Sequence, residues 1–222
     1  MSVTLESVGQ LLNSEDYGDR LTGLNQLRQI DPASAFQLIQ PLITDPHARV
    51  RYAAVSQMDT LGQQDLKVSL ELLRDRIKTD KEVDVRAAAA DAIAGLKLTE
   101  AFDDLKELYQ ETDDWLIHTS ILAALGEMGD PRGFEPLAEA LNSDNSLLQT
   151  VAIGALGELG DDRAVPLLIS FVSNEDWQIR YRLAQALSRL GGSQARMTLE
   201  RLAMDEVEII AQAAKEGLNT SA

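Results

Sequence analysis

The sequence predicts an all-α fold, an α-α superhelix (solenoid) of about seven short helical-hairpin repeats. The first observation behind this prediction is a fixed period. One position, which we call the ladder position, recurs in the second predicted helix of every unit, at Arg20, Arg51, Arg86, His118, Gln149, Arg180 and Ile210. Successive ladder positions are 31, 35, 32, 31, 31 and 30 residues apart. Periods of this length are typical of stacked repeats that bury their core between neighbours.

The second observation is that two further columns of the repeat are apolar or small. Four residues after the ladder position stand Leu24, Val55, Ala90, Leu122, Ile153, Ala184 and Ala214. Seven residues after it stand Leu27, Met58, Ile93, Leu125, Leu156, Leu187 and Gly217. Apolar residues at three- and four-residue steps indicate a helix that buries one stripe and leaves the other face in water.

The amino-terminal repeat, residues 1–31, is predicted to be a capping repeat, because polar residues are frequent in it and an end repeat has one face without a neighbour. The next helix is expected to begin at Pro32, with Asp31 as its N-cap. Pro41 is expected to kink that helix, since its ring removes a backbone hydrogen bond.

The 35-residue interval between Arg51 and Arg86 predicts an insertion of about four residues within 63–81. Insertions in stacked repeats are expected in the turns along one edge. The same region carries a basic cluster, Arg74, Arg76, Lys78 and Lys81. Two interpretations stay open for the cluster: contact with an acidic partner, or a solvated helix face.

Glycines are predicted to end the second helices of repeats four to six, at Gly129, Gly160 and Gly191. A helix end favours a left-handed residue, which glycine adopts without steric cost. The last repeat, 196–222, is predicted to be the carboxy-terminal capping repeat. No linker interrupts the pattern, so the sequence predicts one solenoid over residues 1–222.

Composition narrows the classes of function. The chain has 20 basic and 36 acidic residues and a formal net charge of −16, so nucleic acids and anionic membranes are not expected partners. It has no cysteine, which excludes disulfides and thiolate chemistry. No apolar run could span a membrane and no signal segment precedes the repeats, so we expect a cytoplasmic protein without membrane insertion. Composition does not indicate an oligomeric state.

The repeat resembles a known family. The segments from Asp45 to Gly62, from Asp80 to Leu96 and from Asn174 to Gly191 share an aspartate or asparagine followed six residues later by the ladder arginine, with valine or isoleucine directly before that arginine. These segments resemble the short HEAT-like repeat named after phycobilisome lyases. The length, all-repeat make-up, acidity and lack of cysteine resemble the cyanobacterial non-bleaching protein B family, a relative of the E/F-type phycocyanobilin lyases.

This resemblance implies a protein that assists phycobilisome degradation by binding phycobiliproteins, phycocyanin or allophycocyanin, and promoting detachment of their bilin. It implies no intrinsic cofactor, with phycocyanobilin as a candidate ligand. Two alternatives stay open: a lyase that attaches or isomerises bilin, and a non-catalytic protein-binding scaffold. Whether the chain is an enzyme is therefore open. An enzymatic activity would act on the thioether bond between bilin and a phycobiliprotein cysteine.

The candidate binding residues lie around the ladder positions. Tyrosines follow two ladder arginines, and tryptophans lie three residues before two ladder positions. A bilin needs flat side chains for stacking and guanidinium groups for its propionates. The predicted bilin- or partner-binding residues are therefore Arg51, Tyr52, Arg86, Trp115, His118, Trp177, Arg180 and Tyr181. The alternative for Trp115 and Trp177 is that they fill gaps between repeats. Local cations at Arg180, Arg182 and Arg189 are expected to help docking.

His118 is the predicted catalytic acid or base, since an imidazole titrates near working pH. Its separation from His47 and the absence of a clustered acidic partner argue against a metal site. Deoxyhypusine hydroxylase has similar repeats, but its paired His-Glu iron ligands are missing here.

In HEAT-like repeats a turn aspartate bonds the ladder arginine across neighbouring units. The six-residue spacing pairs Asp45 with Arg51, and Asp80 with Arg86.

Overall fold

The structure, a computed structural model, describes residues 3–220, apart from the side chain of Thr220. The predicted capping repeats extend to residues 1–2 and 221–222, which lie outside that range. Within 3–220 every regular element is a helix, which confirms the all-α prediction. The chain forms two compact units, Met1–Ile121 and Leu122–Ala222. The predicted single domain over 1–222 and its capping repeats stay predictions.

Fifteen α-helices are present in the described range. They are α1 (Leu5–Leu12), α2 (Tyr17–Gln26), α3 (Pro32–Ile39), α4 (Ala48–Val55), α5 (Met58–Leu61), α6 (Leu66–Thr79), α7 (Val83–Gly95), α8 (Phe102–Glu111), α9 (Trp115–Met128), α10 (Phe134–Ala140), α11 (Ser146–Leu159), α12 (Val165–Leu168), α13 (Trp177–Leu190), α14 (Gly192–Leu202) and α15 (Glu208–Thr220). Short 3₁₀ segments cover Leu27–Gln29, Gln40–Thr44, Gly62–Gln64, Thr99–Ala101, Pro131–Gly133, Asp162–Ala164 and Ile169–Ser173.

The helices form seven hairpin repeats over residues 3–220, as the ladder period predicts. The first helices are α1, α3, α6, α8, α10, α12 and α14. The second helices are α2, α4 with α5, α7, α9, α11, α13 and α15. In the first unit α2 contacts α4 and α4 contacts α7, while α1 contacts α3 and α6 contacts α8. In the second unit α11 contacts α13, α13 contacts α15 and α12 contacts α14. Each unit is therefore an α-α stack in which like helices pack on like.

The two predicted apolar columns form the core of each unit. All fourteen residues four and seven positions after the ladder are buried. Burying a leucine or isoleucine side chain contributes about 1.5–3 kcal/mol relative to leaving it exposed. The columns therefore hold each second helix against its own first helix and against the neighbouring repeats.

Helix starts and ends follow local sequence. Asp31 caps α3, and its carboxylate accepts a hydrogen bond from Ser34 N at 2.9 Å, with Pro32 as the first helical residue. Pro41 does not kink a continuing helix as expected. Instead α3 ends at Ile39, and the chain tightens into the 3₁₀ segment Gln40–Thr44. A proline at its start lacks the amide hydrogen that would bond back to the helix.

The range in which the sequence places the insertion, residues 63–81, is largely helical. It includes α6, Leu66–Thr79, with 14 residues; in repeat two α3 has 8 residues and continues into the 3₁₀ segment Gln40–Thr44. Asp65 caps α6 by accepting hydrogen bonds from Lys67 N and Val68 N, both at 3.1 Å. The cap and the helical bonds keep the backbone groups of this segment hydrogen-bonded.

Glycines with positive φ end three second helices at the predicted positions. Gly129, Gly160 and Gly191 have φ angles of 70°, 72° and 69°. Gly160 is left-handed with ψ 21°, whereas Gly191 has ψ −158°. After α7 Lys97 also has a positive φ, 55°. A residue with a side chain costs roughly 1–2 kcal/mol in the left-handed conformation, so the helix ends at glycine avoid this strain.

Two further glycines let second helices approach closely in the second unit. A Cβ atom at Gly126 would lie 2.6 Å from Ala155 Cα, and one at Gly157 would lie 2.7 Å from Ala186 Cα. No larger residue fits at either contact without moving a helix. The sequence marks these positions only as small.

Candidate partner-binding surface

The ladder arginines connect neighbouring repeats through carboxylates. Arg51 donates from Nε and Nη2 to Asp80 at 2.7 and 2.8 Å. Arg180 makes the same paired contact with Asp205, at 2.7 and 3.1 Å. Arg20 Nε lies 2.8 Å from Asp45. Each acid lies in the turn of the following repeat, so these pairs hold successive repeats in register.

The sequence-based pairing of these groups was therefore wrong by one repeat. Asp45 bonds Arg20 rather than Arg51, and Asp80 bonds Arg51 rather than Arg86. The six-residue spacing has a different role: Arg51 Nη1 donates to the backbone oxygen of Asp45 at 2.9 Å. The Asp45 side chain bonds Arg20 of the preceding repeat, and its Oδ1 also accepts from His47 N at 2.8 Å in its own turn.

The carboxylate ladder is interrupted in the middle repeats. Arg86 Nε donates to Ile77 O at 2.8 Å, and its nearest carboxylate oxygen, on Glu111, is 4.0 Å away. At the turn position that aspartate occupies elsewhere, the next three repeats carry Thr112, Ser143 and Asn174. Each of these three side chains still accepts from the backbone N–H two residues later, at 3.1, 3.1 and 2.9 Å. The turn geometry is kept and the ion pair is lost.

His118 stands at a ladder position without a carboxylate partner. Its Nε2 lies 3.0 Å from Tyr109 O and 2.5 Å from Thr112 O. Both neighbours are carbonyl oxygens, which only accept, so Nε2 carries the hydrogen. The imidazole also stacks on the Tyr109 ring at a centroid distance of 4.2 Å. Only Nδ1 remains for proton exchange. The catalytic role of His118 stays a prediction.

The paired acids have shifted pKa values. Burial raises the pKa of Asp80, but the hydrogen bond from Arg51, the backbone N–H of Glu82 and the charges of Arg51 and Arg76 together bring it below its usual range. The hydrogen bond from Arg180 is the largest influence on Asp205 and lowers its pKa. Both carboxylates are therefore held ionised by the ladder.

The exposed aromatic side chains share one location in the repeat. In residues 3–220 four aromatic side chains are exposed: Tyr17, Tyr52, Trp115 and Trp177, with 42, 48, 59 and 46% of their surface in solvent. All four lie on second helices, three residues before or one residue after the ladder position. We call these four residues the aromatic row because of their shared repeat offsets; Tyr17, Tyr52 and Trp115 lie in the first unit and Trp177 lies in the second. Neither tryptophan is buried between repeats.

Tyr17 was missed by the sequence reasoning. It lies three residues before Arg20, the same offset that Trp115 and Trp177 have from their ladder positions, so the repeat register contained the signal. Its ring stacks on His47 of the next repeat, with centroids 3.9 Å apart and planes at 5°. Tyr52 stands exposed one residue after Arg51.

Trp177 and Tyr181 line a groove between α11 and α13 in the second unit. The groove has a volume of about 250 Å³, and its walls are Ser146, Leu147, Thr150, Asp176, Trp177, Gln178, Tyr181 and Arg182. Leu147, 43% exposed, adds an apolar side chain next to Trp177. Of the predicted binding residues, Trp177 and Tyr181 are thus brought together, whereas Arg180 is committed to Asp205.

The basic cluster on α6 is largely neutralised within the protein. Arg74 and Lys78 bind Asp104 at 2.5 and 2.6 Å. Arg76 binds Asp80 at 3.0 Å and also contacts Asp75. Three of the four cations therefore bond to carboxylates of the same unit. This argues against contact with an acidic partner, and it differs from a merely solvated helix face because the cations are held by internal ion pairs.

A larger groove lies at the other end of the second helices in the first unit. It has a volume of about 620 Å³, and it is lined by Leu27, Arg28, Ile30, Pro32, Ser56, Gln57, Asp59, Thr60, Leu61 and Gln64.

Across residues 3–220 no cluster of three His, Asp or Glu side chains is placed to hold a metal ion. No helix in the described part of the chain is long and apolar enough to span a membrane.

Sequence comparison identifies the family. The family model for HEAT repeats matches residues 5–94, 70–153 and 134–219, which together span nearly the whole chain. The chain belongs to the HEAT repeat family. No curated protein matches this HEAT repeat protein in a sequence search.

Solved structures resemble the HEAT repeat protein in fold. The complex of CpcE and CpcF of phycocyanin lyase from Nostoc sp. PCC7120 matches with a TM-score of 0.65 and 18% identity, over 100% of this chain and 96% of that chain. YibA of E. coli matches with a TM-score of 0.65 and 19% identity, over 97% of this chain and 81% of that one. The archaeal HEAT-like repeats protein from Thermococcus onnurineus NA1 has a TM-score of 0.56 and 14% identity, over 99% and 97%. At these identities the likeness concerns the fold alone.

Proposed function

We propose that this HEAT repeat protein binds phycobiliproteins, phycocyanin or allophycocyanin, through the aromatic row, and assists phycobilisome degradation by promoting bilin detachment. The observation that carries the proposal is the row itself. Every exposed aromatic side chain of the described residues lies on a second helix at one of two repeat offsets. Exposed tyrosine and tryptophan side chains are the residue types most enriched at binding hot spots.

The fold supports a phycobiliprotein as the partner. Among the solved structures that match the whole chain is a phycocyanin lyase complex. The resemblance of the repeat sequence points to the same group of proteins. A net charge of −16 disfavours nucleic acid, whereas a protein partner can be held by apolar contacts and by a few local cations.

The ladder arginines contribute to binding mainly by positioning. Arg51 and Arg180 each bond a carboxylate and a backbone carbonyl, which fixes the helix turn that carries Tyr52 and Trp177. Arg86 keeps a weaker acidic contact and is the ladder arginine with the most capacity left for a propionate or carboxylate of a partner. If detachment requires proton transfer at the bilin thioether, we propose Nδ1 of His118 as the group that exchanges the proton.

A direct test mixes the purified protein with holo-phycocyanin, with apo-phycocyanin and with free phycocyanobilin. Absorbance spectra and zinc-stained gels then report protein-bound bilin. We expect complex formation with holo-phycocyanin and a decrease in its bound bilin. A gain of bilin on the apo-protein would instead support the lyase alternative. Binding without any spectral change would support the scaffold alternative, and no binding to either phycocyanin form would contradict the proposal.

Single-residue variants test whether the aromatic row is the surface that binds phycocyanin. We expect Trp115→Ser and Trp177→Ser each to weaken binding to phycocyanin about tenfold or more. Aromatic side chains that become buried when a partner binds contribute most of the binding energy of an interface. Leu66→Ser and Met197→Ser are the matched controls. Both side chains are similarly exposed, at 44 and 62%, but lie on the first helices α6 and α14. Equal losses in the controls would show that exposed apolar area in general, rather than the aromatic row, makes the contact.

A further inference from the structure

An unpaired arginine lies in the groove between α11 and α13. Within residues 3–220 four arginines have no carboxylate within ion-pair distance: Arg28, Arg49, Arg182 and Arg201. Three of them are exposed to solvent, whereas Arg182 is half-buried. The chain has 36 acidic residues, so a half-buried cation without an acid is unusual here. Partial burial of an unpaired charge costs free energy that a carboxylate from outside would recover.

The side chain of Arg182 is held in the groove by two neighbours. A Cβ atom at Gly154 would lie 3.0 Å from Arg182 Cδ, so the arginine stem crosses α11 at a residue without a side chain. Arg182 Nη1 donates to Gln185 Oε1 at 3.2 Å. The nearby acid, Asp176, is committed as the N-cap of α13, accepting from Gln178 N at 2.9 Å. The guanidinium is therefore positioned, and most of its donors are left for a ligand.

Apolar side chains stand beside this cation. Leu147 and Trp177 are 43 and 46% exposed and come from neighbouring second helices. Hydroxyl groups of Ser146, Thr150 and Tyr181 complete the lining. The site thus presents an apolar wall, a fixed cation and hydroxyls as hydrogen-bonding groups. It suits an occupant with a bulky apolar group next to a carboxylate.

The size of the groove favours a protein segment over an enclosed small molecule. Its volume of about 250 Å³ is below the range of roughly 300–1,000 Å³ in which drug-sized ligands are enclosed. A space of this size accommodates one or two side chains of a longer chain that runs across the surface. We propose that this groove docks a protein segment in which an aspartate or glutamate adjoins a bulky apolar residue. The inference goes beyond the phycobiliprotein assignment and does not depend on it.

Selection from a random peptide library tests this proposal. The library is selected on the wild-type protein, with counter-selection on the Arg182→Gln variant. We expect the enriched peptides to combine an acidic residue with a neighbouring leucine, phenylalanine or tryptophan. No enrichment over the counter-selection, or enriched peptides without an acidic residue, would overturn the proposal.

Binding measurements then separate charge from position. In a Trp115→Phe background Trp177 is the remaining tryptophan, and its fluorescence reports the groove. We expect an enriched peptide to bind roughly tenfold or more weakly to Arg182→Gln, and to lose similar affinity when its acid is changed to an amide. Gly154→Ala keeps the charge but displaces the arginine stem and should also weaken binding. Arg49→Gln, an exposed unpaired arginine of the first unit, is the control and should bind normally.

Two results would contradict the docking of a protein segment. One is unchanged peptide affinity in both Arg182→Gln and Gly154→Ala, with circular dichroism confirming that each variant is folded. The other is saturable binding of free phycocyanobilin at Trp177 that Arg182→Gln abolishes, together with no peptide binding, which would assign the groove to a small carboxylate ligand.

Discussion

Arg51 and Asp80 form a two-pronged ion pair between repeats two and three, with nitrogen–oxygen distances of 2.7 and 2.8 Å and an Asp80 side chain that is fully inaccessible to solvent. The two residues are 29 positions apart in the sequence. Their contact therefore exists only when consecutive repeats are stacked. It is the most buried of the ladder contacts and a sensitive point for testing how repeats are coupled.

Asp80→Asn should lower the free energy of unfolding by about 3 kcal/mol, because it leaves the Arg51 guanidinium without its anion in a largely buried place. The asparagine oxygen can still cap the turn at Glu82 N, so the charge alone is tested. Urea unfolding measures the effect. Asp161→Asn is the control, since its partner Arg163 is 57% exposed and in the same turn, and we expect a loss below about 1 kcal/mol. Equal losses in the two variants would contradict a special role for the ladder.

The free energy of unfolding should decrease at acidic pH, because the ladder carboxylates Asp80 and Asp205 become protonated. The pKa values of Asp80 and Asp205 are lowered in the folded protein, so the folded state binds fewer protons than the unfolded state. Their contribution is complete above the ordinary carboxyl pKa of about 3.9 and disappears as the pH falls through the lowered folded values. Urea unfolding as a function of pH, for the wild type and Asp205→Asn, checks this. The gap between the two proteins should close in acid, and a constant gap would rule out the linkage.

Close packing of second helices depends on small residues in the second unit. Gly157→Ala should destabilise the protein by roughly 1–3 kcal/mol, because the new methyl group would lie 2.7 Å from Ala186 Cα. Gly9→Ala, in α1, meets nothing within 4 Å and should be neutral or add up to about 1 kcal/mol from helix propensity. Thermal unfolding monitored by circular dichroism distinguishes the two. Similar changes for both variants would mean that the helices α11 and α13 can move apart without cost.

His118 can be tested separately for structure and for chemistry. Gln149 occupies the next ladder position and donates from its side-chain amide to Leu141 O at 3.2 Å. We therefore expect His118→Gln to keep most of the stability, and His118→Leu to lose about 1–3 kcal/mol because carbonyl oxygens lose their donor. Bilin release from phycocyanin by the folded His118→Gln variant tests the predicted proton transfer. Full release by this variant would remove His118 from the reaction and leave it a structural donor.

The repeat register was readable from the sequence because it depends on local periodicity. The columns that include Leu24 and Leu156 are buried as predicted, and Gly160 ends α11 in the left-handed conformation that its position indicates. The offset of the tryptophans from the ladder position also indicated a common helix face. The position of the insertion was not predictable, since a longer helix α6 and a longer turn satisfy the same residue count.

The sequence by itself determined the number of repeats, the helix pairs and the residues that form the core, because each depends on helix period and on local start and end signals. Only the tertiary structure decided which carboxylate each ladder arginine bonds, that Trp115 and Trp177 face solvent, and that Arg182 forms no ion pair. These features arise between repeats about 30 residues apart, where side-chain partners depend on how the helices stack and not on spacing along the chain.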